Sequence, residues 1–181
     1  MPKRDFSEVI RHCADKAYNF AFRLAGNDQD ARDLVQEAFA RALEHWGRYD
    51  QTRGFESWLF RILHNVYLDG VRRYAHGRTV SLDAPSPIEE VSWDEILPGR
   101  DPEPIEGLAR EEADALVQKA LAGLPMHYRT AVILRDVESL SYEEIARIMA
   151  CPAGTVRSRI HQGRLMMKRE FDKLMEGRSS R

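Results

Sequence analysis

Apolar residues recur along the first part of the chain at alternating steps of three and four. The first run is Phe6, Val9, Ile10, Cys13, Ala14, Ala17, Ala21, Leu24 and Ala25. The second is Ala31, Leu34, Val35, Ala38, Phe39, Ala42, Leu43 and Trp46, and the third is Phe55, Trp58, Leu59, Ile62, Leu63 and Val66. Each run makes a one-sided stripe on a helix, which buries against its neighbours and leaves the opposite face to water or a partner. Alternation of period two is absent, so no sheet is expected. The pattern predicts an all-α protein.

The periodicity stops between Thr79 and Glu106, where Pro85, Pro87, Pro98, Pro102 and Pro104 account for five of the eight prolines. Proline lacks a backbone donor and restricts the residue before it, so no regular helix crosses this stretch. Only residues 91–97, VSWDEIL, have the pattern of a short helical turn, anchored by Trp93, Ile96 and Leu97. A structureless stretch of this length inside a compact domain is unusual. Residues 79–110 therefore read as a linker between two small helical domains, 1–78 and 111–178. Charge divides the same way. Residues 1–78 carry 13 Lys/Arg against 11 Asp/Glu, residues 79–113 carry 2 against 10, and residues 114–181 carry 12 against 8. A chain with net charge −2 thus consists of two basic ends around an acidic middle, and each part needs its own reading.

The sharpest local pattern is LSYEEIARIMACPAGTVRSRIHQGR, residues 140–164. Ser141 and Glu144 have the spacing of a capping box, with Leu140 and Ile145 placed as a hydrophobic staple. Tyr142, Ile145, Ala146 and Met149 form the expected buried stripe. Pro152 and Gly154 break the helix in a short turn, and Thr155 is placed to cap the next. Two helices joined in this way predict a helix-turn-helix. The second carries an apolar line at Val156, Ile160, Gly163, Met167, Phe171 and Leu174. Its other face presents Arg157, Ser158, His161, Arg164 and Lys168, and seven Lys/Arg face three acids from Thr155 to Arg178. Short polar residues near a helix start reach base edges, and surrounding cations hold phosphates. Gly163 costs about 1 kcal/mol relative to Ala inside a helix, a cost that close approach to a neighbouring backbone would explain. The plainer alternative is a solvated basic face on an ordinary helical hairpin.

Other classes fit less well. Apolar residues make up 43% of the chain and charged residues 31%, enough for a core. The apolar runs are too short to span a membrane, and MPKRDFSEVIRHC lacks the apolar stretch and cleavage site of a signal peptide. A cytosolic protein without membrane insertion is expected. Cys13 and Cys151 are far apart and lack CxxC spacing, against a disulfide framework or a cysteine zinc site. The six histidines fall into no HExxH, phosphate loop or metal-binding cluster, so neither enzyme chemistry nor a metal or other cofactor is expected.

DARDLVQEAFARALEHW at 30–46 and FESWLFRILHNVYLDGVRRY at 55–74 resemble the promoter-melting domain of bacterial sigma factors. LSYEEIARIMACPAGTVRSRI at 140–160 resembles the family's domain for the upstream promoter element. Their order, with a variable linker between them, resembles the extracytoplasmic-function group. The resemblance implies an alternative sigma factor that binds the clamp and flap of core RNA polymerase, directs it to promoters and helps melt them. Promoter DNA, duplex and single-stranded, becomes a partner, and an anti-sigma factor is implied as a regulator.

By the same resemblance, Asp30, Asp33, Leu34, Gln36 and Glu37 form the surface that docks on a coiled coil of the polymerase. An acidic and amide face suits a basic helical partner, though it also solubilises the start of a helix. The loop containing Gln51, Thr52 and Arg53 corresponds to the one that captures a flipped base. The third helix is expected to display Arg61, His64, Asn65, Tyr67, Arg72 and Arg73 toward the opened downstream element, with Asn65 as base reader. Phe55 and Trp58 lie on the apolar stripe, and Trp58 is assigned mainly to packing. The upstream-element set is Thr155, Arg157, Ser158, Arg159, His161, Gln162, Arg164 and Lys168. Many relatives have Arg-Ala where this chain has Gln162-Gly163, and Gln pairs with adenine where Arg prefers guanine. The acidic linker suits either passage through a nucleic-acid channel by charge mimicry or a plain spacer. A helix-turn-helix regulator acting without polymerase is the rival reading, and it leaves the N-terminal motifs unexplained.

Overall fold

The computed structural model describes residues 6–50, 54–75 and 106–179. The chain divides into two compact units, Met1–Gly99 and Arg100–Arg181. All regular structure among the described residues is helical. Gln51, Thr52, Arg53 and residues 79–105 of the segment read as a linker lie outside the described residues, while residues 106–110, also read as linker, are already helical, since no proline follows Pro104 until Pro125.

The first unit is a bundle of α1 (Phe6–Ala25), α2 (Asp28–Glu44) and α3 (Phe55–Ala75), each packed on the other two. Fully buried Ala14, Ala17, Ala21, Ala38 and Ala42 let the helices approach closely, while Phe20, Leu24, Phe39, Phe60 and Leu63 fill the centre. The Phe20 and Phe60 rings meet at 4.8 Å between centroids. Both phenylalanines escape the stripes read from sequence, because each sits one position beside a recognised apolar residue and widens the buried face. Gly26 ends α1 at φ 90°, a left-handed conformation natural to glycine. Asn27 then opens α2, its side chain accepting from the Asp30 amide at 2.9 Å.

The α2 stripe was expected to run on through Leu43 and Trp46, but the helix ends at Glu44. Leu43 is exposed, and Trp46 lies in a short 3-10 turn, Trp46–Arg48. There it joins an aromatic cluster. Trp46 meets Phe6 at 5.1 Å, Tyr49 at 5.3 Å and Phe55 at 5.8 Å, and Trp58 lies 4.8 Å from Tyr49. Trp58 is half-buried in this cluster, the packing environment expected of it.

The second unit consists of α4 (Glu106–Ala122), α5 (Met126–Val132) continuing into a π-turn (Ile133–Val137), α6 (Tyr142–Met149) and α7 (Ala153–Ser179). Helix α7 is the hub, packed on α4, α5 and α6. Leu121, Leu124, Ile133, Leu134, Ile145, Ile148, Val156 and Ile160 form the core. The α6 capping box is complete. The Ser141 hydroxyl accepts from the Glu144 amide at 3.3 Å, and the Ser141 amide donates to Glu144 Oε2 at 2.9 Å. The buried face of α6 is Ile145, Ile148 and Met149, with Tyr142 and Ala146 only half-buried.

The turn between α6 and α7 differs from the expectation. Ala150, at φ 49°, ends α6 in the left-handed region, and Pro152 precedes the first residue of α7. The Pro152 carbonyl accepts from the Val156 amide at 3.1 Å, so Gly154 and Thr155 already lie within the first helical turn. Thr155 is therefore no cap. Proline needs no donor at a helix start, which lets the helix begin earlier than a threonine cap requires.

Candidate nucleic-acid interface

Helix α7 turns Val156, Ile160 and Gly163 into the core, so the intervening residues face outward by helical geometry. Arg157, Ser158, His161, Gln162, Arg164 and Lys168 are exposed, and Arg157, His161, Arg164 and Lys168 follow one another at steps of four, three and four. Thr155 and Arg159 are half-buried. Arg159 folds back on the turn, its Nη1 donating to Cys151 Sγ at 3.4 Å. Gly163 has the expected close neighbour: a Cβ there would lie 2.6 Å from Val132 Cγ2 and 3.2 Å from the Tyr128 carbonyl.

Side chains from outside α7 complete this face. The Arg135 and Arg157 guanidinium groups lie 5.2 and 5.9 Å from the centre of the Tyr142 ring, within cation–π range. Arg135 also donates to the Leu140 carbonyl at 2.8 Å, which fixes it beside the start of α6. Arg164 donates through both Nε and Nη2 to the Asp136 carboxylate, and those hydrogen bonds push its pKa above the ordinary arginine value. Sequence reasoning missed Arg135, Asp136 and Tyr142 as members of this surface. Tyr142 at the start of the capped helix was the available signal.

In the first unit, α3 separates its polar residues onto two sides. Arg61, Asn65 and Arg72 are exposed and share one face at steps of four and seven. His64 was expected among them, but only 4% of it is exposed. It lies four residues after Phe60 and one after Leu63, on the side that packs into the bundle. Tyr67 and Arg73 turn instead toward α2. They line a groove of about 520 Å³ with Asp30, Asp33, Leu34 and Glu37, and with Val66, Gly70, Val71 and Tyr74 from α3. Leu34, 7% exposed, forms apolar floor, whereas Tyr74 is 89% exposed at the rim. Gln36 is half-buried outside this lining.

The groove carries acid on its α2 wall. Asp30 accepts from the Asn27 side-chain amide at 2.7 Å and Asp33 from Gln29 at 3.2 Å, both neutral donors. Glu37 pairs with Arg41 at 2.8 Å, and Arg41 bridges on to Asp69 of α3 at 3.1 Å. Nearby, Asp28 is held below the ordinary carboxylate range by the Tyr18 hydroxyl and by Arg32. Among the described residues, no group of three or more His, Cys, Asp or Glu side chains is arranged to hold a metal ion. No described helix is long and apolar enough to cross a membrane.

Comparison with known proteins decides the family. The Sigma-70 region 2 family matches residues 9–77, and the Sigma-70 region 4 family matches residues 114–167. The ECF RNA polymerase sigma factor SigW of Bacillus subtilis is 30% identical over 92% of this chain and 88% of its own length. The chain belongs to the extracytoplasmic-function sigma factors. The RNA polymerase sigma-H factor of Pseudomonas aeruginosa is 34% identical over 96% of this sigma factor and 89% of its own length. The ECF sigma factor SigE of Mycolicibacterium smegmatis is 42% identical over 93% of this chain, which spans 61% of that longer relative. Two solved structures share the fold. The sigma factor RpoE, in complex with the anti-sigma factor NepR from Bartonella quintana, aligns at TM-score 0.69 over 93% of this chain and 98% of its own, with 24% identity. CnrH, in complex with the cytosolic domain of CnrY, aligns at 0.61 over 93% of this chain and 88% of its own, with 21% identity. Sigma factors direct RNA polymerase to promoters and are not themselves enzymes.

Proposed function

We propose that the two units divide promoter recognition between duplex and opened DNA. Helix α7 reads the upstream element in the major groove through Arg157, Ser158, His161 and Gln162, with Arg164 and Lys168 on the phosphates. The observation that carries this reading is the exposed polar row over the first turns of α7, backed by a buried apolar line and a fully capped α6. Arg159 and Thr155, half-buried, support the turn more than they reach outward. The open α3 face of Arg61, Asn65 and Arg72 engages the separated downstream strand, cations on the backbone and Asn65 on a base.

The groove between α2 and α3 receives a helical element of core polymerase. Its acidic α2 wall over an apolar floor suits a partner with basic residues beside apolar ones. Tyr67 and Arg73 belong to that contact by their position in the groove. An anti-sigma factor that covers the same groove would keep the protein from polymerase, a regulation supported by the anti-sigma complexes in which both fold relatives were solved. The acidic stretch from residue 79 to the start of α4 at Glu106 is the linker that lets both domains act at once, in the cytoplasm where polymerase works. Because two modest contacts are tethered through core, effective concentration makes holoenzyme bind promoter far more tightly than the free chain.

Transcription in vitro with purified core polymerase, with RNA 5′ ends sequenced from a library of source-genome fragments, tests the assignment. Discrete starts that depend on the added protein are expected, and their alignment gives both promoter elements. No starts, together with tight binding to fragments in the absence of core, would overturn it in favour of a duplex-binding regulator.

A further inference from the structure

The basic face of the second unit contains a carboxylate at a telling place. Asp136 lies in the π-turn after α5, twenty-eight residues from Arg164, and accepts hydrogen bonds from its Nε and Nη2. Arg164 stands two helical turns beyond Arg157 on the outward row, half of its side chain exposed. An arginine reads guanine, or grips a phosphate bidentately, with two nitrogens acting as a fork. Here the Nε and Nη2 fork is occupied. Both Nη1 hydrogens and the second Nη2 hydrogen remain for DNA, but the carboxylate offsets the guanidinium charge that would draw the helix to any duplex.

We propose that Asp136 is a specificity-determining residue of the upstream-element interface, holding Arg164 by its Nε and Nη2 edge, offsetting its charge and keeping sequence-independent DNA binding weak. The proposal rests on the reading of α7 as the duplex-binding helix. Its physical basis is the phosphate term in DNA affinity, which grows with every uncompensated cation on the face and carries no sequence information. Arg135, Arg157 and Lys168 supply that term whether or not Arg164 is restrained, so restraint costs the specific complex little and the non-specific complex more. Asp136 acts through Arg164 and is a positioning residue rather than a reader.

The test uses holoenzyme assembled from the full chain and core polymerase, titrated with a duplex bearing the mapped upstream element and with a scrambled duplex, from about 50 to about 200 mM salt. Asp136→Asn is expected to bind the scrambled duplex more tightly than wild type and to lower the ratio of specific to scrambled affinity. Its log–log salt slope should steepen by about 0.9, the value of one added phosphate contact, so its advantage shrinks about 3.5-fold across that range. In an Arg164→Gln background the same substitution should leave slope and ratio unchanged. An unchanged slope for Asp136→Asn, or an equal rise with Arg164→Gln present, overturns the proposal while leaving α7 as the duplex reader. Equal binding of both duplexes by the wild-type holoenzyme removes the reading of α7, and the proposal with it.

Discussion

Gly163→Ala sets two effects of opposite sign against each other. In a helix interior Ala is favoured over Gly by about 1 kcal/mol, so propensity alone predicts a more stable protein. Packing predicts the reverse. The new Cβ would stand 2.6 Å from Val132 Cγ2 and 3.2 Å from the Tyr128 carbonyl, where apolar carbons rest at about 3.5–4.0 Å. Val132 is buried and β-branched, so a single rotamer is strongly preferred and the methyl has little room to withdraw. Overpacking of a well-filled core costs about 1–3 kcal/mol, and this contact belongs at the upper end because one neighbour is backbone. The net expectation is a loss of about 2 kcal/mol, equivalent to roughly 8–16 °C in the melting temperature of a unit this size. Circular dichroism would follow the melt, and peptide-resolved hydrogen exchange would assign the loss to α5–α7. The fluorescence of Trp46 and Trp58 reports the other unit and should keep its midpoint. Adding Val132→Ala to the variant should relieve the clash and cost less than the two single changes summed. Stabilisation by Gly163→Ala alone would refute the packing argument.

Four further outcomes follow from the same geometry. Ser141→Ala should cost about 1 kcal/mol by leaving the Glu144 amide uncapped, and Ser141→Asp should restore most of it in the same melt. Phe20→Ala, at the centre of the first bundle, should cost about 3–5 kcal/mol in urea unfolding followed by tryptophan fluorescence. Asn65→Ala should impair transcription from duplex promoters yet spare a premelted template and core binding; equal loss on both templates would count against a melting role. Burial, followed by the nearby Glu56 carboxylate, pushes the Cys13 thiol above its ordinary pKa, with Lys16 opposing. The folded state therefore holds that proton more tightly than the unfolded chain does. The resulting stability is fully present below the ordinary thiol range and is lost as pH rises through the folded value. Cys13→Ala should flatten this alkaline decline in chemical denaturation, and iodoacetamide should modify native Cys13 far more slowly than unfolded chain.

Much of the architecture was legible because helical stripes and caps are local. The three stripes of the first unit, the Ser141–Glu144 box and the close approach at Gly163 were each readable within a few residues of sequence. Errors fell where locality ends. Trp46 continues the α2 period on paper, but the aromatic cluster with Phe6, Tyr49 and Phe55 draws it out of the helix. Thr155 has the chemistry of a cap, but Pro152 starts α7 first. His64 belongs to a polar residue type, and only the width of the buried α3 face, extended by Phe60, shows that it turns inward.

The candidate sites were less legible than the fold, because charge on a helix face is not a property of that helix alone. Counting residues along α7 credits Arg164 with a full cation aimed at DNA, and counting along α2 credits Glu37 with a full anion aimed at polymerase. Arg41 reaches Glu37 on its own helix, but also Asp69 twenty-eight residues later on α3. Arg164 is met by Asp136 at the same separation in the opposite direction. Pairs of this kind form only when two elements pack, so no face-by-face reading of sequence can include them. Their consequence is directional. On the proposed reading, each lowers the charge that a partner meets, on both the groove assigned to polymerase and the helix assigned to DNA, and so weakens attraction that depends on charge alone. What would then hold a partner, on the same proposal, is shape and directed hydrogen bonding: the apolar floor around Leu34 in one unit, and Arg157, Ser158 and Gln162 in the other. A promoter-selecting protein that must ignore most of the DNA it meets gains more from that exchange than it loses in affinity.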